Sequence, residues 1–217
     1  MIGPDKKRIT ILTVEGREDQ YLTDQSAVIA LHTADVTGIE RVVICSFLKP
    51  TDTSKIRWVE TGPILSKETY SYWMLKECYK HFDTEFVMIV QRDGYVVNPE
   101  SWTDEFLNYD YIGAPWPSGF NAPEVNRVGN GGFSIRSKRL MTFMSHTDFF
   151  PDRYMPEDVT ISSQHKLWSL IGFMVAPVEL AARFSLEWLC PEHVEPEKTF
   201  GFHDKHTPFT KVYLEGI

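Results

Sequence analysis

The sequence has no long apolar run. None of its 217 residues belongs to a stretch of about 18 consecutive apolar positions, so no membrane-spanning helix is expected. Positive charge is in deficit: 22 Lys and Arg face 30 Asp and Glu, a formal net charge of −8. That balance argues against affinity built on a broad phosphate-neutralising surface, and leaves only a local basic groove open. Cysteine is scarce. Cys45, Cys78 and Cys190 are far apart, odd in number and form no CxxC pair, which speaks against a structural zinc site or a disulfide framework. Three buried thiols in a reducing, cytoplasmic compartment are expected, in a bacterial or phage-infected cell. The first residues, MIGPDKKRIT, are charged and have no apolar core before Ile9, so no secretory signal is read there. The dinucleotide fingerprint GxGxxG and the P-loop pattern are both missing after the first expected strand, which excludes the dehydrogenase and ordinary P-loop classes. Ser134 follows Phe133 directly and sits in no GxSxG elbow, so a serine hydrolase is not expected.

What is present is an ordinary globular composition, 42% hydrophobic and 24% charged, expected to form a single domain over 1–217. Strand-like, β-branched runs at 8–14, 41–47, 56–59 and 85–91 alternate with helical patterns at 18–34 and 66–81. In the first helix Tyr21, Leu22, Val28, Ile29 and Leu31 fall largely on one side. Ser66 is placed to cap the second. Further helices are expected at 100–107, where Asn98-Pro99 resembles an N-cap and first-turn proline, and at 137–145 and 158–170. Strands are expected at 109–113, 133–136 and 173–178. The last thirty residues show little periodicity. Alternation of this kind implies βαβ units, a largely parallel sheet and an α/β fold.

One stretch demands chemistry. In FVMIVQRDGYVVNPESW (86–102) a buried strand runs into Gln91, Arg92 and Asp93, then a glycine. Ligands of open α/β sheets sit at the carboxyl ends of parallel strands, which singles out Thr13-Val14-Glu15, Gln91-Arg92-Asp93 and the glycine-rich segment after Trp116. Each residue also has a plain structural reading. Asp93 suits a turn cap before Gly94, Gly131-Gly132 a turn or bulge, Trp116 a core position, and Glu157-Asp158 the acidic first turn of a helix.

The order of Gln91-Arg92-Asp93, Tyr109 to Trp116, Gly129 to Ser134, Glu157-Asp158 and Gly201-Phe202-His203 resembles a family of uncharacterised small glycosyltransferase-like domains. The resemblance covers roughly 9–205. It implies a Rossmann-like glycosyltransferase-A fold with a mostly parallel central sheet flanked by helices. A nucleotide-binding half would span about 8–120 and an acceptor half with the tail about 121–217. The implied activity is metal-dependent transfer of a sugar from a nucleotide-diphosphate donor, a UDP-sugar by preference, to a hydroxyl acceptor with inversion. A cation bridging the diphosphate would neutralise charge on the leaving group. The resemblance makes Asp93 and His203 the ligands of Mn2+ or Mg2+, with His206 as a less favoured alternative. Imidazole ligation favours Mn2+. Gln91 stands where such enzymes usually carry a first aspartate.

By the same resemblance Asp158 would be the catalytic base, with Glu157 as runner-up. Thr13, Val14 and Glu15 would contact base and ribose, and Gln91 a ribose or metal-bound water. Arg17, Arg92 and Arg136 are candidate diphosphate partners. Gly131 and Gly132 would let backbone approach the donor sugar, and Trp116 would stack on a sugar face. The default acceptor is a glycan. Alternatives are a phage-type enzyme acting on hydroxymethylated DNA bases, a non-catalytic nucleotide-sugar or glycan-binding module, and a nucleotidyltransferase on a similar sheet.

Overall fold

The computed structural model describes residues 5, 7–119, 127–147 and 155–203. Its organising element is a six-stranded sheet. The strands are β1 (Ile9–Glu15), β2 (Val42–Ser46), β3 (Arg57–Glu60), β4 (Phe86–Ile89), β6 (Tyr111–Ile112) and β7 (Ser134–Ser137), in spatial order β3-β2-β1-β4-β7-β6. The first four run parallel; β7 lies antiparallel to β4, and β6 antiparallel to β7. Every residue of β2 and β4 is buried, as is all of β1 except Val14, the pattern of parallel strands covered on both faces. A second sheet contains β5 (Gly94–Val96), β8 (Ser185–Leu186) and β9 (Gly201–His203), in the order β5-β9-β8.

Six α-helices are described: α1 (Gln20–Thr37), α2 (Lys67–Lys76), α3 (Lys138–His146), α4 (Glu157–Ser163), α5 (His165–Leu170) and α6 (Val178–Phe184). Helix α1 begins where the Asp19 carboxylate accepts from the Leu22 amide at 3.0 Å and ends at Gly38, whose φ of 71° supplies the left-handed cap. Ser66 caps α2 through a reciprocal capping box with Thr69.

Several expected elements take a different form. The buried face of α1 is Thr23, Ser26, Ala27, Ile29, Ala30, Thr33 and Thr37, whereas Tyr21 and Val28 are exposed. Small side chains let the helix lie close on the sheet, and hydropathy does not register them. Helix α2 stops at Lys76 and gives way to a 3-10 turn at Cys78–His81. The helix expected at 100–107 is two short 3-10 turns, Pro99–Ser101 and Asp104–Asn108. The one expected at 158–170 is broken at Gln164 into α4 and α5. Of the strand expected at 173–178, only Val175 bridges Tyr111, and Val178 already opens α6. The three cysteines are buried, as expected. No described helix is long and apolar enough to cross a membrane.

Beneath the glycine-rich loop lies a buried ion pair. Arg136 on β7 is fully buried and donates to Glu157 at 2.9 Å and to the Gly131 carbonyl at 3.1 Å. Removing one partner of such a pair strands an uncompensated charge, which costs about 3–5 kcal/mol. Glu157→Gln is therefore expected to lower the melting temperature by roughly 6–20 °C, measured by calorimetry.

Candidate active site

The chain leaves β1 toward β2 on one side and places β4 on the other. That reversal opens a crevice beyond the carboxyl ends of β1 and β4, the location at which open α/β sheets hold ligands. A cleft of about 600 Å³ lies there. Thr13, Val14, Glu15 and Arg17 line it from the end of β1, and Gln91, Arg92 and Asp93 from the end of β4. Trp116, Gly131, Gly132, Glu157, Asp158 and His203 complete it. Residues separated by as many as 190 positions thus share one cavity. Arg136 is the expected residue that does not: it is sealed under the Gly131 loop and committed to Glu157, so it is no diphosphate partner. His206 lies outside the described residues.

Asp93 owes its position to a tight hairpin. The amide of Gln91 donates to the Gly94 carbonyl at 2.8 Å, and the amide of Gly94 returns a bond to the Gln91 carbonyl at 3.0 Å. Arg92 and Asp93 are therefore the two residues at the hairpin tip. Strand β5 then pairs antiparallel with β9, setting Gly94 opposite His203. His203 Nε2 comes to 3.9 Å from Asp93 Oδ1 and 3.3 Å from Gln91 Oε1. The Gln91 amide nitrogen donates to the Tyr70 hydroxyl at 2.9 Å, which orients the side chain.

The two glycines also have a structural reason within the chain itself. A Cβ on Gly132 would stand 2.1 Å from His203 Nε2, and one on Gly131 would stand 2.0 Å from Glu157 Oε1. The space they leave is filled by the protein's own imidazole and carboxylate. Asn130 makes the preceding turn with φ of 68°, and its Oδ1 accepts from the Gly132 amide at 3.0 Å. A left-handed asparagine of this kind is a favoured turn device.

The neighbouring carboxylates have different environments. Both oxygens of Glu157 are engaged, one by Arg136 and the other by the Ser71 hydroxyl at 3.2 Å, so this residue holds the loop. Asp158 accepts from the Gly131 amide at 3.0 Å and from the Val159 amide at 2.7 Å. Burial, followed by the negative charge of Glu157, pushes its carboxyl up to about 7. Trp116 is nearly buried. Its ring covers Gly129 and its indole N–H donates to Glu187 at 2.8 Å, so it does not offer an open stacking face.

Glu187 is the residue that sequence reasoning missed. It follows β8 and reaches within 3.6 Å of His203 Nδ1. Its only sequence signal is an acid immediately after the pair Ser185-Leu186, in a segment without periodicity.

No group of three or more His, Cys, Asp or Glu side chains among the described residues is arranged to hold a metal. Asp93 Oδ1 and His203 Nε2, 3.9 Å apart, are two side-chain atoms that could hold one. Two protein ligands fit a cation of the Mg2+ or Mn2+ type, which takes its remaining positions from phosphate oxygens and water.

A family profile described as a protein of unknown function (DUF5672) matches residues 53–203. The chain belongs to that family. Curated proteins provide no match. The solved structures do: a glycosyltransferase involved in glycosylation of the major capsid of the virus PBCV-1 is 15% identical, with a TM-score of 0.56 over 96% of this chain and 99% of that one. The galactosyltransferase LgtC, in complex with donor and acceptor sugar analogues, is 12% identical with a TM-score of 0.53, covering 92% and 88% of the two chains. This DUF5672 member therefore has the Rossmann-like glycosyltransferase-A fold.

The position of Asp158 has a pH consequence. Free aspartate titrates near ~4, whereas the native group titrates near about 7. Between those values the folded chain retains a proton that the unfolded chain has lost, so stability falls as pH rises through the window. Asp158→Asn is expected to melt above the wild type at pH 8, by an amount equivalent to about 1–3 kcal/mol, with the difference closing toward pH 4. Melting curves across that range test it.

Proposed function

We propose that this protein is a metal-assisted glycosyltransferase that moves a sugar from a nucleotide-diphosphate donor, a UDP-sugar, to a hydroxyl acceptor with inversion. The observation that carries the reading is the meeting of Asp93, His203 and Asp158 in one switch-point cleft. Asp93 and His203 Nε2 would hold Mn2+ or Mg2+. When bound, that cation supplies neutralisation of charge on the diphosphate leaving group.

The chain's own residues account for the rest. Thr13 and Val14, which line the cleft at the end of β1, would contact base and ribose. Asp158 takes the proton of the acceptor hydroxyl as its oxygen bonds to the anomeric carbon. The bond from that carbon to the diphosphate oxygen breaks, and the nucleoside diphosphate leaves with the electron pair. A base is most effective when its pKa lies near working pH, and a carboxyl raised to about 7 meets that condition. The cleft is lined by the acids Glu15, Asp93, Glu157, Asp158 and Glu187 against Arg17, Lys67 and Arg92, an excess of carboxylate that a bound cation at Asp93 and His203 would offset.

The experiment incubates the full chain with nucleotide sugars, Mn2+ and glycan acceptors, and identifies the nucleotide released. UDP is expected; release of pyrophosphate, or failure to consume any donor, contradicts the reading. Asp158→Asn is expected to lower kcat about 10²–10⁴-fold with little change in donor KM, and the wild-type kcat to fall on the acid side of about pH 7.

A further inference from the structure

Besides Glu157, a second carboxylate of the cleft is tightly held: Glu15. It ends β1, is 4% exposed, and is gripped by Arg17 through Nε at 2.7 Å and Nη2 at 2.6 Å. Its amide neighbour also contributes, the Arg17 N–H donating to Oε1 at 3.2 Å. On the opposite side Arg92 Nε lies 3.4 Å from Oε2. One buried carboxylate therefore orients two guanidiniums, one from the end of β1 and one from the hairpin after β4. Arg17 is half exposed and Arg92 about one-third exposed, and both face the cleft.

We propose that Glu15 is a positioning residue that presents Arg17 and Arg92 as a paired guanidinium clamp for a diphosphate, strong enough to capture it without a divalent cation. The proposal rests on the donor reading above. Arg17 meets Glu15 through Nε and Nη2, so its Nη1 side points away from the carboxylate. Arg92 makes its nearest approach to Glu15 through Nε at 3.4 Å, a looser contact that keeps the guanidinium at the cleft wall. Guanidinium edges of this shape match phosphate oxygens in a two-pronged manner. The local charge of Glu15 with both arginines is +1, in a cleft otherwise rich in carboxylate, so this is where an anion is welcome. Holding two flexible side chains in advance also removes the ordering cost that a ligand would otherwise meet on binding. A purely structural salt bridge would need one arginine; the second, from a different strand end, is what the clamp explains.

The test is calorimetric titration of the full chain in EDTA with inorganic pyrophosphate, UDP and uridine, repeated with Mn2+. The wild type is expected to bind pyrophosphate and UDP in EDTA. Glu15→Gln and Arg92→Met are each expected to weaken both by about tenfold or more while the affinity for uridine stays unchanged, a split that a merely structural role would not produce. Arg92 is a surface residue of the hairpin tip, so its variant stands even where Glu15→Gln fails to fold. Binding in the wild type only when Mn2+ is present, or wild-type affinity in Arg92→Met, overturns the clamp. Pyrophosphate binding that depends on Arg92, with no UDP binding under any condition, upholds the clamp and removes the donor reading. No binding of any probe removes both.

Discussion

The pairing of β5 with β9 is the constraint on which the site depends. Strand β9 is three residues long and is drawn in from near the end of the described chain, yet its register sets His203 opposite Gly94. Gly94 and Gly132 have no side chain to offer, and the imidazole fills the space above both of them: a Cβ on Gly94 would stand 2.8 Å from His203 Cδ2. The hairpin between β4 and β5 presents Asp93 to the same ring. A single strand register, supported by two glycines and a two-residue turn, thereby builds a site from segments more than a hundred residues apart. The aromatic packing of Phe202 against Tyr95 at 4.8 Å, and of Phe133, Phe184 and Phe200 behind it, anchors that small sheet to the core.

Around this anchor the cleft separates its charged groups by environment. Arg136 is buried to neutralise Glu157, and that ion pair supports the loop of Gly131 and Gly132 from below. Asp158, one residue on, accepts only amide hydrogen bonds among the described contacts and has its carboxyl raised. Glu15 is screened by Arg17 and Arg92, and Glu187 is held by the indole of Trp116. Adjacent acids thus have different environments, set by tertiary neighbours and not by sequence context. Arg17 and Arg92 lie at the ends of β1 and β4 together with Glu15 and Asp93, whereas Glu157, Asp158 and Glu187 lie toward α4 and β8.

Much of this was legible in the sequence because it rests on local pattern. Parallel strands buried on both faces read as β-branched runs, and the resemblance carried by Gln91-Arg92-Asp93, Gly129 to Ser134 and Gly201-Phe202-His203 drew the cleft residues together. What was not legible depends on tertiary contact. The burial of Arg136 is invisible from its own neighbours, because its partner Glu157 is twenty-one positions away on another element. Helix α1 hides a face of threonine, serine and alanine that hydropathy scores as neutral. Glu187 sits in a segment with no periodicity, and only the β8–β9 pairing brings it to His203. The glycines were correctly located in the cleft, but the atoms they make room for belong to the chain itself.

The most direct measurement of the central claim is a crystal structure of the full chain grown with UDP and Mn2+. The account predicts the diphosphate at the open ends of β1 and β4, with the metal ion between Asp93 and His203 Nε2. A nucleotide bound in any other cavity, or a metal ion ligated by neither residue, would contradict it.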